Sequence, residues 1–562
     1  MKQQFRGFLF VIFTIAAVDA VAQTARPAYD RQADFDVEHY TIRVSFDHPK
    51  RTVIGDITVR LRPKVAVLRN VRLDAVGLAF TQVENGETGK PLKYTAARGN
   101  VSITLDRAYG PDEEVSLRFR YTTRPQKGVY FVNERRDQGR RVHSDQIWTQ
   151  GQPDEARHWF PSFDHPEDKA TTEKFITAKK GQTVIGNGVL MEKKENPGGT
   201  VTHHFRMDIP HSTYLVSFVI GEYEKVEEKY GEIPLGYYVY PGSASLVPLA
   251  YGKTTEMLKI MEELTSVAYP FSKYDQTMVA NFEFGGMENI TATTMSDTEI
   301  AYARLDFLRG NVEDLVAHEI AHSWFGNNVT CANWAELYLN EAFATFFEAA
   351  IREKMYGRED YMRKIMLDAE AFMNHEATTP VSHGLYNRRA ADTSILFKWP
   401  AVTYNKGGAV VHQLREQIGD RAFWKALNTI LIRHRFSSLR THDLRSAMEE
   451  ASGQNLGWFF DQWIYGTGYP KLTIRYRYDR DAGEMRLDIE QTQRGDRLTP
   501  AGFRLPLEIE FLGEDGSRIR HTADIKSRRE TIVIPIDTTP DEMNIDPDEK
   551  IPLKTIRLLE IK

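Results

Sequence analysis

The sequence predicts a multidomain α+β protein in which an N-terminal antiparallel β domain precedes a mainly helical domain and a C-terminal β-sandwich. Three observations favour this fold class. Hydrophobic and polar residues alternate from Phe35 to about Tyr240, a helical period dominates from about residue 250 to Trp463, and alternation returns after Pro470. The length of 562 residues also exceeds what one ordinary hydrophobic core accommodates.

The N-terminal β domain is predicted to span residues 27–240. Tyr40, Ile42 and Val44 alternate with polar residues, which is typical of a strand with one buried face. Clusters of glycine and proline, such as residues 196–199, separate the alternating runs as turns. These features indicate a large and mainly antiparallel β structure.

The helical domain is predicted to span residues 241–470 and the β-sandwich residues 471–562. Met257, Ile260 and Leu264 have the spacing of one helix face, which marks the change of period. The last 90 or so residues contain short alternating segments separated by turns, a pattern typical of a small sandwich.

The first 22 residues have the order of a secretory signal peptide. Lys2 and Arg6 precede a long apolar stretch, and residues 20–22 form a small-x-small cleavage site. A membrane anchor is the alternative, but the apolar run is short for a bilayer span and Asp19 lies near its end. We therefore expect an exported protein, periplasmic or secreted, without a stable membrane span after cleavage.

The composition restricts the partners and the cross-links that the chain can have. The formal net charge is −6 and the isoelectric point is about 6.3, so no basic field attracts nucleic acid, which is not expected as a partner. Cys331 is the one cysteine, which excludes an intramolecular disulfide. Nothing in the composition indicates an oligomeric state.

A metal-binding pattern lies in the predicted helical domain, at His318-Glu319-x-x-His322. Residues at i and i+4 share a helix face, so both imidazoles point the same way and can hold one cation. Glu319 can then act as general base on a water molecule, as in the zincins. The alternative is a helix with two solvated histidines.

A third ligand is predicted at Glu341, which follows His322 after 18 intervening residues. Catalytic zinc takes three protein ligands and keeps a fourth position open. Glu341 lies in the apolar segment 339–347, where an isolated carboxylate is costly unless it is paired or bound to metal. His318, His322 and Glu341 are therefore predicted to bind one zinc ion per chain.

The HEXXH pattern, 18 residues and then a glutamate in an Asn-Glu-x-Phe-Ala setting resemble the gluzincin aminopeptidases of the M1 family. The family usually has glycine where this chain has Ala342, a change that touches no ligand. The resemblance implies a thermolysin-like fold for the helical domain, zinc as cofactor, and peptides with a free N-terminus as substrates. It covers almost the whole chain after the signal peptide, and it implies a three-domain form without the long C-terminal helical domain of full-length members.

Residues 285–289, Gly-Gly-Met-Glu-Asn, are read from chemistry alone as a turn with an exposed glutamate. The segment is similar, however, to the GxMEN signature of the M1 family. The resemblance implies that Glu288 binds the α-amine of the substrate, because a carboxylate pairs with an ammonium group and fixes its position. Phe284 is expected to line the pocket for the first side chain. The predicted substrate-binding residues of this segment are Phe284, Gly285, Gly286, Met287 and Glu288.

Two more segments carry the resemblance. Residues 404–407 resemble a Tyr-x-Lys-Gly segment, which implies that Tyr404 donates a hydrogen bond to the oxyanion; without the resemblance Tyr404 reads as a core or surface tyrosine. Residues 149–157 resemble the β-domain segment over the active site, which assigns Gln150 and Gln152 to the substrate. Many members have Glu where Gln152 stands, and Gln there, together with the segment 285–289, is more similar to the leukotriene A4 hydrolase branch. Gln152 accepts a hydrogen bond but supplies no charge.

The sequence therefore predicts a zinc-dependent aminopeptidase that hydrolyses the N-terminal peptide bond with a zinc-activated water. Three alternatives stay open. The branch resemblance suggests an epoxide hydrolase or a bifunctional enzyme, and the thermolysin-like domain suggests an endopeptidase. The third is an inactive peptide-binding protein on the same scaffold, which is disfavoured because all three ligands and the base are present.

Overall fold

The computed structural model describes residues 29–379, 383–513, 516–536 and 539–561. The predicted signal peptide lies outside the described residues, so the prediction of export stays a prediction. Among the described residues, no helix is both long and apolar enough to cross a bilayer. The order of strands, helices and strands confirms the predicted fold class.

The N-terminal region is built on a seven-stranded sheet. The strand Phe35–Asp47 pairs in parallel with Lys169–Lys179, and the other neighbours are antiparallel. Val37, Ile42 and Val44 are buried, in agreement with the predicted alternation. In spatial order, the strands are Val189–Asn196, Thr200–Ser212, Lys169–Lys179, Phe35–Asp47, Thr52–Pro63, Val115–Thr123 and Ala79–Asn85.

Smaller sheets complete this region. A three-stranded sheet consists of Leu68–Asp74, Asn100–Tyr109 and Lys93–Ala97, and a hairpin pairs Arg135–Asp137 with Arg140–His143. A four-stranded sheet consists of Thr183–Gly186, Phe218–Gly221, Gln146–Thr149 and Val129–Val132. The strand Gln146–Thr149 matters most for function, because the segment after it carries Gln150 and Gln152.

A mixed five-stranded sheet opens the helical region. Its strands are, in spatial order, Glu224–Tyr230, Ile233–Val239, Tyr274–Val279, Ala292–Ser296 and Gly286–Met287. The sheet therefore joins strands from both sides of the predicted domain boundary at residue 240, and that boundary does not coincide with an edge of the sheet. The parallel strand Tyr274–Val279 is buried throughout, as is usual where both faces of a sheet are covered.

The helices pack on this sheet and on one another. The helix Thr254–Thr265 buries Met257, Ile260 and Leu264, which confirms the predicted face. A short parallel pair, Thr330–Cys331 with Ser438–Leu439, lies among the helices. The α-helices are Val247–Ala250, Thr254–Thr265, Asp297–Ala301, Arg309–Ala321, Tyr338–Tyr356, Arg358–Thr378, Gly407–Ile418, Asp420–Arg433, Thr441–Ser452 and Gly457–Phe459, with π-helical turns at Val402–Lys406 and Phe460–Ile464.

The C-terminal strands form two facing sheets. One consists of Arg529–Pro535, Glu484–Gln491, Lys471–Asp479 and Thr555–Glu560, and the other of Arg518–Ile525, Leu505–Leu512 and Glu542–Ile545. Leu487 and Ile489 from the first sheet and Leu507 and Ile509 from the second belong to one buried cluster. That cluster extends through the helical region, whereas most of the N-terminal strands enclose a separate core.

Candidate metal centre and substrate cavity

A cavity of about 530 Å³ contains nearly all the predicted site residues. Its walls come from the N-terminal region, the five-stranded sheet and the helices. The lining residues are Gln150, Gln152, Phe284, Gly285, Gly286, Glu288, Asn311, Asp314, Leu315, His318, Glu319, His322, Glu341, Glu348, Phe397, Pro400, Tyr404 and Asn405. A larger cavity of about 670 Å³ lies on the seven-stranded sheet, and it is lined by none of the predicted site residues.

The two histidines lie at the end of the helix Arg309–Ala321, which we call the histidine helix. His318 is in its last turn and His322 directly follows its last residue, still in helical conformation. Their ring centroids are 4.7 Å apart, as expected for neighbours one helical turn apart on one face. Both side chains are buried, so the alternative of two solvated histidines does not agree with the structure.

Glu341 reaches the same point from the first turn of the helix Tyr338–Tyr356, which we call the glutamate helix. Its Oε2 atom lies 3.4 Å from Nε2 of His318 and 3.4 Å from Nε2 of His322. Two ligand atoms at about 2.1 Å from a tetrahedral zinc ion lie about 3.4 Å apart. Both distances from Glu341 to the histidines therefore match a tetrahedral zinc site, and the three ligand atoms all lie within 4.8 Å of one another.

The Nδ1 atoms of both imidazoles, on the opposite side of each ring from Glu341, also have hydrogen-bond partners. His318 Nδ1 lies 2.8 Å from Oε1 of Glu348, and His322 Nδ1 lies 2.8 Å from the carbonyl oxygen of Phe325. When these Nδ1 atoms carry the protons, they donate to those oxygens and leave both Nε2 atoms free to bind a cation. This carboxylate–histidine arrangement is typical of metal-binding histidines.

Glu319 lies beside the metal-binding atoms and contacts the short strand Gly286–Met287. A β-carbon at Gly286 would collide with the Glu319 carboxyl group, so glycine lets the strand Gly286–Met287 pass directly beside it. Burial raises the pKa of Glu319 to about 8 in the metal-free protein, and a bound cation would lower it. Among the described residues, Glu319 Oε2 has no hydrogen-bond partner, so it is available to a ligand.

Two further acceptors in the cavity have no partner among the described residues, Glu288 Oε1 and Gln150 Oε1. Both side chains are buried, and burial raises the pKa of Glu288. The Glu288 backbone carbonyl accepts a hydrogen bond of 2.8 Å from Nδ2 of Asn327, which fixes the chain at this point. Glu288 and Gln150 line the same cavity, so these two oxygens are available to N–H donors of a ligand bound there.

Gln152 joins the metal-binding atoms to the segment from the N-terminal region. Its Nε2 donates a hydrogen bond of 3.3 Å to Oε1 of Glu341, the oxygen that does not face the histidines. This contact orients the Gln152 amide and leaves its oxygen as an acceptor. The structure thus gives Gln152 a contact with a predicted zinc ligand, which the sequence did not predict.

Tyr404 lies in the π-helical turn Val402–Lys406, directly before the helix Gly407–Ile418. Its ring centroid lies 5.9 Å from that of His318, and the two ring planes are inclined by 27°. Burial and the neighbouring carboxylates, Glu341 first among them, raise the pKa of Tyr404 well above its usual value. The phenol therefore stays protonated at neutral pH and can donate a hydrogen bond.

Phe284 and Met287 have different surroundings. The Phe284 side chain is 41% exposed, and its ring lies 5.8 Å from the ring of Phe397, another cavity residue. Met287 is buried in the hydrophobic core and does not line the cavity, because successive strand residues point to opposite faces. The structure therefore does not bring the Met287 side chain to the predicted substrate site.

Sequence reasoning missed Glu348 and Asn405. Glu348 follows Glu341 by seven residues on the glutamate helix, so the two carboxylates share one helix face. This spacing is a sequence signal that could have placed Glu348 near the metal centre. Asn405 lies next to Tyr404 and lines the cavity, but a single asparagine after a tyrosine carries no signal without the fold.

The chain matches two models of one protein family. The Peptidase family M1 domain matches residues 249–463, and the Peptidase M1 N-terminal domain matches residues 36–215. Together they cover more than two thirds of the chain, and the first match contains the histidine helix and the glutamate helix.

Several proteins similar in sequence to this chain are named aminopeptidases. An aminopeptidase N of Streptomyces lividans is 31% identical over 344 residues, which is 60% of this chain and 40% of the relative. A probable aminopeptidase 2 of Sulfurisphaera tokodaii is 24% identical over 509 residues, or 90% of this chain and 63% of the relative. A leucyl aminopeptidase of Saccharolobus solfataricus is 25% identical over 85% of this chain and 58% of the relative. The chain thus spans less than two thirds of the length of each of these relatives.

Proposed function

Because the chain belongs to peptidase family M1, we propose that it is a zinc aminopeptidase that hydrolyses the N-terminal peptide bond of peptides. The observation that carries the proposal is the combination of a candidate metal-ligand set with three unpartnered buried acceptors, on Glu319, Glu288 and Gln150, in one cavity. The names of the similar proteins, all aminopeptidases, support the same activity.

Zinc fits the residues that would hold it. The donors would be Nε2 of His318, Nε2 of His322 and one oxygen of Glu341, and their 3.4 Å spacings suit a tetrahedral ion. When bound, zinc supplies a Lewis acid that activates a water molecule and polarises the peptide carbonyl. The buried carboxylates around the histidines supply the negative charge that a divalent cation would neutralise.

Glu319 is the proposed general base. Its Oε2 has no partner among the described residues, so it can take a proton from the attacking water. The same carboxyl group then gives the proton to the leaving amine, and Glu319 returns to its ionised form. The tight contact with Gly286 brings the strand that flanks the substrate within reach of the proton donor.

Tyr404 is the proposed oxyanion donor. Water attack on a carbonyl places negative charge on the former carbonyl oxygen, and a fixed phenol donates to that oxygen at little reorganisation cost. The raised pKa of Tyr404 keeps its proton in place for this hydrogen bond. Its position beside the His318 ring supports this role.

The amine-binding end decides which bond is cleaved. The Glu288 carboxylate pairs with the α-ammonium group of the substrate, and Gln150 Oε1 accepts a second hydrogen bond. An ammonium group has three N–H donors, so these unpartnered oxygens match its hydrogen-bonding capacity. A peptide held in this way presents its first peptide bond to Glu319, which favours an exopeptidase over an endopeptidase.

We also propose that the protein is exported and acts on peptides outside the cytoplasm. The support for this proposal is the order of charged, apolar and small residues in residues 1–22. Fractionation of cells that express the full chain, with N-terminal sequencing of the product, tests it. A product that retains residues 1–22 in the cytoplasm would contradict export.

The test of the activity is a panel of aminoacyl fluorogenic substrates, each with a free amine and with an N-acetyl group, together with metal analysis. We expect about one zinc ion per chain and cleavage that depends on the free amine. A protein without stoichiometric metal, or one that cleaves acetylated peptides equally well, would refute the proposal. A lipid epoxide in the same panel tests the alternative activity.

A further inference from the structure

An ion-pair network leads away from the metal centre behind the glutamate helix. It begins where Glu348 Oε1 lies 2.8 Å from Nδ1 of His318. The second carboxylate oxygen of Glu348 lies 2.9 Å from Nζ of Lys364. Lys364 belongs to the helix Arg358–Thr378, which packs against the glutamate helix and has no part in the proposed chemistry.

Lys364 makes a second ion pair on the same helix. Its Nζ lies 2.8 Å from Oδ2 of Asp368, one helical turn further on. Burial alone would lower the pKa of Lys364, but Glu348 and Asp368 outweigh it and raise the pKa, so the ammonium is charged at neutral pH. The ammonium thus bridges two carboxylates, with its side chain 13% exposed and those of Glu348 and Asp368 12% and 5% exposed.

The other oxygen of Asp368 binds the residue next to the proposed oxyanion donor. Asp368 Oδ1 accepts a hydrogen bond of 2.8 Å from Nδ2 of Asn405, the residue that follows Tyr404. Both residues lie in the π-helical turn Val402–Lys406, a rare local geometry that is often found at functional sites. An unbroken series of side-chain contacts therefore joins His318 to the backbone that carries Tyr404.

Stability does not explain such a network. Removing charges from water costs several kcal/mol per ion, and buried ion pairs contribute little net stability compared with apolar packing. Their geometry is directional, however, and fixes the groups that they join. Here one end of the network holds a predicted zinc ligand and the other end holds the turn of Tyr404.

We propose that Lys364 is a positioning residue that sets the His318 imidazole and the Tyr404 turn relative to each other through Glu348, Asp368 and Asn405. Lys364 touches neither substrate nor metal in this arrangement. It acts on zinc binding through Glu348 and on oxyanion stabilisation through Asp368. The inference rests on the proposed function, because it assigns the network to the same site.

The first test measures zinc affinity and turnover in Lys364→Met. Metal-stripped protein is titrated with zinc against a chromophoric chelator, and kcat and KM are measured with an aminoacyl substrate. We expect a zinc Kd raised up to about tenfold, the low end of the effect of losing an outer partner of a metal-binding histidine, because Lys364 acts through Glu348, together with a reduced kcat and little change in KM. Lys354→Met, on the exposed side of the glutamate helix, is the matched control and should leave both unchanged.

The second test separates the two ends of the network with Asp368→Ala. This change leaves Lys364 and Glu348 as a neutral pair, so the zinc Kd should stay within about twofold of the wild-type value. The kcat should fall about tenfold, a part of what loss of an oxyanion donor costs. In a Tyr404→Phe background the same Asp368→Ala change should have no further effect on kcat.

Either result can overturn the proposal. A Lys364→Met protein with wild-type zinc Kd and kcat would contradict it, and so would an Asp368→Ala effect that persists in the Tyr404→Phe background. If Lys364→Met does not fold, the Asp368→Ala cycle decides, because no unpaired charge is left buried. Zinc titration needs no substrate, so a protein that binds zinc but cleaves nothing would refute the proposed function while the Kd ratios still decide the role of Lys364.

Discussion

The metal-binding half of the cavity and its amine-binding half are built in different ways. The metal half comes from two adjacent helices, and every imidazole nitrogen faces an oxygen: Glu341 on the inner side, Glu348 or the Phe325 carbonyl on the outer side. The amine half brings Gln150 from the N-terminal region to Glu288 beside the five-stranded sheet. There, two buried oxygens have no partner among the described residues.

This difference indicates which part of the site is complete before substrate arrives. The metal half is held by its own hydrogen bonds and needs a cation to balance its buried carboxylates. The amine half contains acceptors whose desolvation is compensated when donors arrive. Changes in the metal half should therefore affect every substrate alike, whereas changes in the amine half should affect substrates with a free amine most.

The largest expected effect is that of removing the metal. A chelator should abolish hydrolysis of every aminoacyl substrate, and added zinc should restore it, because the metal half serves all substrates. The protein should also unfold at a lower temperature without zinc, since a ligand at a thousand times its Kd stabilises by about 4 kcal/mol. Calorimetry and activity assays on the same samples measure both. Full activity in demonstrably metal-free protein would show that hydrolysis does not depend on a metal ion and would contradict this prediction.

Replacement of the proposed base should have the next largest effect. Glu319→Gln keeps the size of the side chain but cannot take a proton, so kcat should fall by at least about 10²-fold for all substrates. Zinc content should stay at one per chain, because Glu319 is not among the three predicted ligands. Metal analysis and steady-state kinetics check the two statements. Turnover near the wild-type value would remove Glu319 from its role.

A smaller and selective effect is expected in the amine half. Glu288→Gln removes the charge that pairs with the ammonium group, and charge-assisted hydrogen bonds contribute about 1.5–3 kcal/mol. The kcat/KM for free-amine substrates should fall about 10- to 100-fold, and the preference over N-acetylated peptides should shrink with it. The exposed Glu283, five residues earlier, provides Glu283→Gln as the matched control. An equal loss for both kinds of substrate would mean that Glu288 acts on the metal half.

The same contrast explains how much the sequence could predict. The ligands His318, His322 and Glu341 follow from helical spacing and from the cost of burying a lone carboxylate, both of which are local signals. The period of the hydrophobic residues is also a local signal, and it predicts where strands and helices lie. The role of Glu288 needed a family resemblance, because no local rule brings it near Gln150.

Other features depend on contacts that local patterns do not encode. The sheet that joins Ile233–Val239 to Tyr274–Val279 pairs strands separated by two helices, so a boundary read from periodicity falls inside it. The family resemblance groups Met287 with the substrate-binding residues, but strand alternation turns its side chain into the core. The contacts from Lys364 through Asp368 to Asn405 connect the helix Arg358–Thr378 with the turn Val402–Lys406. These two elements become neighbours only when the helices pack together, so the sequence pattern does not predict the contacts.

The smallest expected effect concerns the choice of the first residue. Phe284 lines the cavity next to the glycines, and its ring packs against Phe397 while 41% of the side chain stays exposed. A partly exposed wall contributes about 1 kcal/mol to side-chain binding, so Phe284→Ala should change the ratio of kcat/KM between large and small first residues about fivefold. The matched control is Phe307→Ala, since Phe307 is 80% exposed and lies outside the cavity. Because the amine and the metal still fix the scissile bond, kcat for the preferred substrate should change little. An unchanged preference profile would place the first side chain elsewhere and would confine substrate recognition in this half to the ammonium group.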